Sequence, residues 1–483
     1  MRHFIACFLL LSIAATTNAA EFLVSSRLDS GAGTFREALI SAITTPSPPH
    51  VIRFTAAYPL GGRINLASAL PTIQVELTIE GNNRFPQLSG VEQFPLLITT
   101  RSLTLRDIQL MDGWAPVVNT TAGDGGCVRY NGAPTAVATL LVERTNFLNC
   151  RARELFLAGG GAIHWPAPAG GLEIRQSTFT NNRAISNDAA NEQPRGGAVQ
   201  ASTSAIVITG STFVDNQVQT VGTRGGLGGA LALFVQPGDF NFASLQGNRF
   251  SGNQVTENAS DQGRGGAVFV ALQTGTQVAI DQNWFNGNSA REGGALFLRG
   301  TNVLNLMNVR NNSFHNGQAQ FAGGGMSVLS GFLVATHNTW NESLAPSAST
   351  LAFTNTDVRR FANNVLVRPF GSAHCTMTNI VRNSLQGAGN FFDSACSGLE
   401  QASDQFFPGD LVLVVDETER VGVLKLPPGT SAIDGGSDVS DDCSATDARG
   451  TTRPQDGDGN GQARCDAGAY EVASPVLFRD GFE

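Results

Sequence analysis

Lysine is almost missing from this 483-residue chain: Lys425 stands alone, and nearly every positive charge is an arginine. Charged residues of both signs reach only 15%, which disfavours long solvated helices. The formal net charge is −9, and an acidic surface repels phosphate backbones, so nucleic acid is excluded as a partner. No stretch after residue 20 is apolar for long enough to span a bilayer as a helix. The histidines, among them His164, His315, His337 and His374, show neither H-E-x-x-H nor metal-ligand spacing, and the cysteines lack C-x-x-C pairs. Zinc chemistry of the usual kinds is thereby excluded. No Walker loop or nucleophile-elbow sequence occurs either.

What is present begins with "MRHFIACFLLLSIAATTNAA". Arg2, an apolar run from Phe4 to Ala15 and small residues up to Ala20 read as a secretory signal peptide over residues 1–20, the run being too short for a membrane span. Cys7 lies ahead of most of the apolar run, which argues against lipidation there. Removing this segment takes away one arginine and no acid, moving the net charge from −9 to −10. Six cysteines remain in an exported chain: Cys127, Cys150, Cys375, Cys396, Cys443 and Cys465. An even number suggests disulfides. Sequence neighbours lie 23, 21 and 22 residues apart, and these local pairs are favoured among the possible connectivities.

Glycine, at 55 residues, is concentrated in a repeat. "GGCVRY" at 125, "GGAIHW" at 160, "GGAVQA" at 196, "GGALAL" at 228, "GGAVFV" at 265, "GGALFL" at 293 and "GGGMSV" at 323 share one layout. Their first glycines are spaced by 35, 36, 32, 37, 28 and 30 residues. Between them runs a second phrase pairing Phe179 with Asn182, Phe213 with Asn216, Phe250 with Asn253 and Phe285 with Asn288. Weaker copies occur around Phe147, Phe314, Trp340 and Phe361. Within a unit the period is two, as in "VAIDQNWF", which marks half-buried strands. Units of roughly 30 residues with about three short strands match coils of an all-β, single-stranded, right-handed parallel β-helix.

That fold assigns roles. The repeated Phe should stack down the core. The Asn three residues on should form a structural ladder of side-chain amides at a bend rather than a ligand site. The glycine pairs should allow positive φ or close backbone approach at a corner. "NDAANEQPR" and "QVQTVGTR" should project as loops. About 12 coils at about 4.8 Å each give a rod of roughly 60 Å.

The paired G-G-A-I and F-x-x-N phrases resemble those of the chlamydial polymorphic outer membrane proteins and related bacterial β-helix proteins, over roughly residues 125 to 345. The resemblance implies a secreted or surface-exposed β-helix, often adhesive, although this chain has no pattern for their translocator barrel. "LDSGAGTFREALISA" resembles the bacterial C-S-L-R-E-A segment with Arg36, Glu37 and Ala38 retained. It reads as a short helix with Thr34 and Glu37 as a capping box, laid over the first coil. Ala432-Ile433-Asp434, Asp447, Arg449-Gly450, Arg453-Pro454, Cys465-Asp466 and Gly468-Ala469-Tyr470-Glu471 resemble the choice-of-anchor Q segment, which closes bacterial β-helices. The organisation expected is therefore a signal peptide (1–20), a cap with first coils (21–113), β-helix repeats (114–430), an anchor-type segment (431–472) and a tail (473–483).

Chemistry is sparse. β-helix hydrolases need clustered Asp residues, and lyases need a base beside carboxylates. Here Asp215, Glu257, Asp261 and Asp281 are scattered singly, and read as solvated strand faces. One metal candidate remains: Asp456, Asp458 and Asn460 alternate in "DGDGNG", as at the start of an EF-hand loop, which would take Ca²⁺. Ala467 stands where the bidentate Glu belongs, so a full EF-hand is excluded. No other cofactor is expected. The reading is a monomeric, exported, non-enzymatic β-helix that binds an extracellular carbohydrate or protein surface, with a polysaccharide lyase or glycoside hydrolase as the alternative.

Overall fold

The computed structural model describes residues 19–115, 123–154, 159–186, 193–220, 225–256, 263–302, 304–371, 373–381, 385–407, 411–419 and 421–474. Most of the expected signal peptide and tail, and parts of both long inserted loops, lie outside these residues. The rest is a parallel β-helix with one helix, Phe35–Thr44.

Each full coil carries four short strands rather than about three. In the coil that opens at Gly265 they are Val268–Leu272, Gln277–Asp281, Trp284–Asn286 and Ser289–Glu292. The first two share one sheet, so the coil has three faces, formed by sheets of 20, 13 and 9 strands. The extra strand arises because the first face is long enough to bend. In a later coil the two strands run together as Met326–Thr336, with Ser330 and Gly331 at positive φ marking the bend. Pairing is parallel and in register from coil to coil: Phe285 lies over Phe250 and under Phe314, and Val268 sits between Leu231 and Leu296.

Register turns the repeated residue types into columns. Phe147, Phe179, Phe213, Phe250, Phe285, Phe314 and Trp340 form one stack with ring centroids 4.6 to 5.2 Å apart, and Phe361 continues it at 6.4 Å. Asn182, Asn216, Asn253 and Asn288 are fully buried at the next corner. Each amide oxygen accepts the backbone N–H and side-chain N–H of the preceding rung, as Asn253 does from Asn216 at 3.0 and 2.9 Å. Its own Nδ2 donates to Phe213 O at 2.9 Å. The column starts at Cys150, whose N–H donates to Asn182 Oδ1 and whose sulfur is bonded to Cys127.

The glycine pair divides its labour. Gly265 adopts φ +69°. Gly266 approaches the fourth strand and the next coil so closely that a Cβ would stand 1.9 Å from Gly294 O and 2.5 Å from Ser289 N. Outward charges also stack by register. Arg53, Glu80, Arg106, Glu143 and Arg175 alternate in sign along one column, with Arg53–Glu80 and Arg106–Glu143 both at 3.0 Å.

The helix closes the first end. Thr34 Oγ1 accepts from Glu37 N–H, and Glu37 reaches back to Gly33 N–H at 2.6 Å. Phe35, Ala38, Leu39 and Ala42 are buried, with Phe35 stacked on Phe54. At the far end Phe392, Cys396 and Leu399 finish the main core. Residues 431–472 do not close an end. They lie along the flank of the 13-stranded sheet, because Trp284, Val365 and Val367 make its outer surface apolar and require cover. Their cover starts with Leu413 and the antiparallel hairpin Val414–Asp416 with Val423–Lys425.

These contacts rank substitutions. Gly266→Ala should lower stability by about 3 kcal/mol or more, since backbone must shift. Asn253→Ala should cost a similar amount, about 3 kcal/mol, by leaving buried donors unpaired. The exposed Gln219→Ala should stay within about 0.5 kcal/mol. Guanidinium unfolding midpoints of the three variants provide the check.

Candidate functional site

A second amide ladder lies one corner before the first. It begins with the hydroxyls of Ser177 and Ser211, each accepting the backbone N–H of the preceding rung, continues by the same rule as the first through Asn248, Asn283, Asn312, Asn338, Asn364 and Asn390, and ends at Asp404, which accepts from Asn390 N–H and Nδ2 at 3.1 Å. The sequence holds a signal for it, Asn-x-Phe or Asn-x-Trp, two residues before the core aromatic. Both ladders spend their amides on neighbouring coils, so the recurrent Asn and Phe form framework.

The cysteines pair as Cys127–Cys150, Cys375–Cys396 and Cys443–Cys465. The last lies in the flank segment, which is built around buried charge. Arg453 donates to Asp466 O and Gly468 O at 2.8 Å and stands 3.4 Å from Glu471. The carboxylates accept backbone N–H groups: Glu471 from Gln455 and Asp466, Asp466 from Asp434 and Val472, Asp447 from Arg449 and Thr451. Burial pushes the Glu471 carboxyl up to about 7 and that of Asp466 to about 6, against the pull of Arg453. The residues that resemble the anchor-type motif thus hold the segment's own backbone.

The metal candidate changes membership. Asp434, Asp456 and Asp458 each bring a carboxylate oxygen within 4.8 Å of one another. Asn460 instead bonds locally, Nδ2 to Asp458 Oδ2 at 2.8 Å and Oδ1 from Gln462 N–H at 2.8 Å. Sequence spacing missed Asp434 because it lies on a different turn of the segment. Asp456 Oδ1 is buried without a partner.

The two described acids of the scattered set, Asp215 and Asp281, lie singly. Asp281 pairs with Arg310 at 2.9 Å, Asp215 is exposed at a corner, and Glu257 and Asp261 lie outside the described residues. Thr350, His374 and Asp393 do form a hydroxyl–imidazole–carboxylate chain, at 2.8 and 2.7 Å. Thr350 and His374 are buried, 1% and 0% exposed, so no substrate reaches the hydroxyl. His337 is buried beside Cys443 and Cys465, and burial holds it neutral. His164 differs: it lies on the outer face of the first sheet, partly open, with Nδ1 2.8 Å from Asp124 Oδ2.

That outer face is the most developed surface. On the first strand of successive coils Phe269 and Phe297, 1% and 2% exposed, stack at 5.7 Å, Phe234 meets Phe269 tilted at 5.8 Å, and Arg195 and Arg264 lie over Phe234 and Phe297, each at 4.9 Å. Beyond them opens a trough of about 410 Å³. Phe297 and the 48%-exposed Phe321 flank it, Ser327, Thr354, Thr376 and Thr378 line it with hydroxyls, and Arg264 pairs with Glu292 at its edge at 3.2 Å. Arg291 stacks on Phe321 at 5.6 Å.

Compared with family models, curated proteins and solved structures, the chain matches none.

The buried acids of the flank segment set a pH dependence. Folded values of about 7 for Glu471 and about 6 for Asp466 exceed the unfolded ones, which lie near 4. The native state therefore binds more protons, so this stabilisation is complete below about pH 4 and is lost as pH rises through about 7. The wild-type melting temperature relative to Glu471→Gln should fall over that window and level off above it, measured by calorimetry.

Proposed function

We propose that the chain is an exported, non-enzymatic β-helix that binds an extended carbohydrate along the outer face of its first strands. The trough beside Phe297 and Phe321 carries the reading. The exposed ring of Phe321 stacks against sugar C–H groups, while the line of Ser and Thr hydroxyls and the Arg264–Glu292 pair match sugar hydroxyls. Its volume of about 410 Å³ falls in the range of about 300 to 1,000 Å³ found for ligand sites. The secretory leader and the three disulfides support an oxidising, extracellular setting. Ca²⁺ belongs to the same reading: the orphan Asp456 Oδ1, with Asp434 and Asp458, would take the ion and pin the flank segment.

One observation favours the alternative of a polysaccharide lyase or hydrolase. Asp124 Oδ2 stands 2.8 Å from His164 Nδ1 on the same face, without hydrogen-bond geometry, and such a pair would serve as a general base once the bond is aligned.

Calorimetry of the mature chain against an oligosaccharide panel tests the main reading. Binding should occur, and Phe321→Ala should weaken it about tenfold. Release of reducing or unsaturated ends from the same oligosaccharides would transfer the protein to the enzyme class. For the metal, added Ca²⁺ should raise the melting temperature and Asp456→Asn should abolish the rise; an indifferent melt would remove the ion from the account.

A further inference from the structure

The third face carries a trough of its own, of about 540 Å³. It runs along the axis over one outward column, Gln254, Ser289, Gln318, Leu344 and Phe370, which parallel register sets on successive strands of the 9-stranded sheet. Four rung steps of about 4.8 Å make it about 19 Å long. Ser289, the smallest of the five side chains, sits between the longer Gln254 and Gln318. Earlier in the chain the same column is aromatic and basic, running Trp114, Arg151, Arg183 and then Gln217. The charge stops before the trough begins, and every described residue that lines it is uncharged.

Its side chains are equipped for a ligand. Leu344 and Phe370 stand on adjacent rungs at one end, 42% and 47% exposed, where covering them would be favourable. The side chains of Gln254, Ser289 and Gln320 have no hydrogen-bond partner among the described residues. Gln320 owes its place to a bulge. Opposite Ala290–Glu292 the chain carries one extra residue between Ala319 and Ala322, which sends Gln320 into this trough and Phe321 into that of the first face. Across the trough, the strands from Gln254–Thr256 to Leu344–Ala345 are paired on both sides. Their backbone groups are spent, so recognition falls to side chains, and an extended peptide finds no sheet edge there to join.

The geometry points to a second carbohydrate site in this trough, for neutral sugar units. The exposed Phe370 ring stacks on a C–H face of the sugar. The amides of Gln254 and Gln320 and the Ser289 hydroxyl both donate and accept, as sugar hydroxyls do. A uronic acid or sulfated unit would bring a charge to a surface without a cation to receive it. This inference rests on the carbohydrate reading, and adds to it a second face and a sugar class.

The test is calorimetry of the mature Phe321→Ala chain, whose first trough has lost its exposed ring. The probes are cellohexaose, xylohexaose and mannohexaose, with a galacturonic acid hexamer as the charged control. A neutral hexamer should still bind this chain. Adding Phe370→Ala should weaken that binding about tenfold. Adding Gln254→Met, which keeps the bulk and removes the amide, should weaken it about fivefold. Circular dichroism melts confirm that the variants remain folded, and binding is compared only on folded protein. Neutral hexamers that bind the wild type but not Phe321→Ala overturn the third-face site and leave the proposed function standing. Residual binding that ignores either added substitution also overturns the site. Equal or tighter binding of the galacturonic acid hexamer to Phe321→Ala overturns the neutral assignment. A wild type that binds no hexamer overturns both readings.

Discussion

A coil of this protein cannot satisfy its own backbone. Its strands are three to five residues long in most coils and pair with strands of the coils above and below, so each N–H and C=O depends on a neighbour one coil away. Everything else follows from that dependence. Parallel in-register pairing places like residues over like at about 4.8 Å, and only side chains that tolerate self-stacking can fill a column. Phe stacks on Phe with nearly parallel rings, and Asn bonds to Asn. Arg and Glu must alternate, as they do from Arg53 to Arg175.

Corners are where this constraint is hardest to meet, because the backbone turns away from the ladder. The two Asn columns restore it by placing an amide oxygen beside the backbone N–H of the preceding coil. The glycines meet a different demand. Gly266 sits where the first and fourth strands close to a distance that excludes even a methyl group, which pinches Ala184, Val218, Val255 and Ala290 into a small core apart from the main one. Ends need their own devices: a capped helix at one, Phe392, Cys396 and Leu399 at the other.

The surface changes character where the repeat is broken. Replacement of an outward polar residue by Trp284 calls the flank segment onto the second face, and that segment is held by Arg453 and the carboxylates around it. Leu227 stands on the rung after Arg195, where Glu292 stands after Arg264, and no described carboxylate pairs with Arg195. Phe321, at the register shift between Ala319 and Ala322, walls one side of the trough. A surface built this way takes its residues from rungs several coils apart, and the rigid stack supplies their spacing.

The sequence alone determined the β-helix, because a strict repeat of Gly-Gly, period-two strands and Phe-x-x-Asn admits few other ways to bury its apolar faces. The aromatic column could be read in the same way, and so could the capped helix, whose signal lies within five residues. The second Asn ladder was also written there, as Asn-x-Phe, but that pattern acquires meaning only when coils are aligned. What the tertiary structure decided is what lies side by side at long range. It split the first face into two strands and laid the C-terminal segment on a flank instead of an end. It joined Asp434 to Asp456 and Asp458 while turning Asn460 away. It also brought Asp124, His164 and Gln200 from three coils around one glycine. The reason is geometric: coil lengths vary from 28 to 37 residues, so positions that meet across coils share no constant spacing along the chain, and only the register of the stacked backbone aligns them.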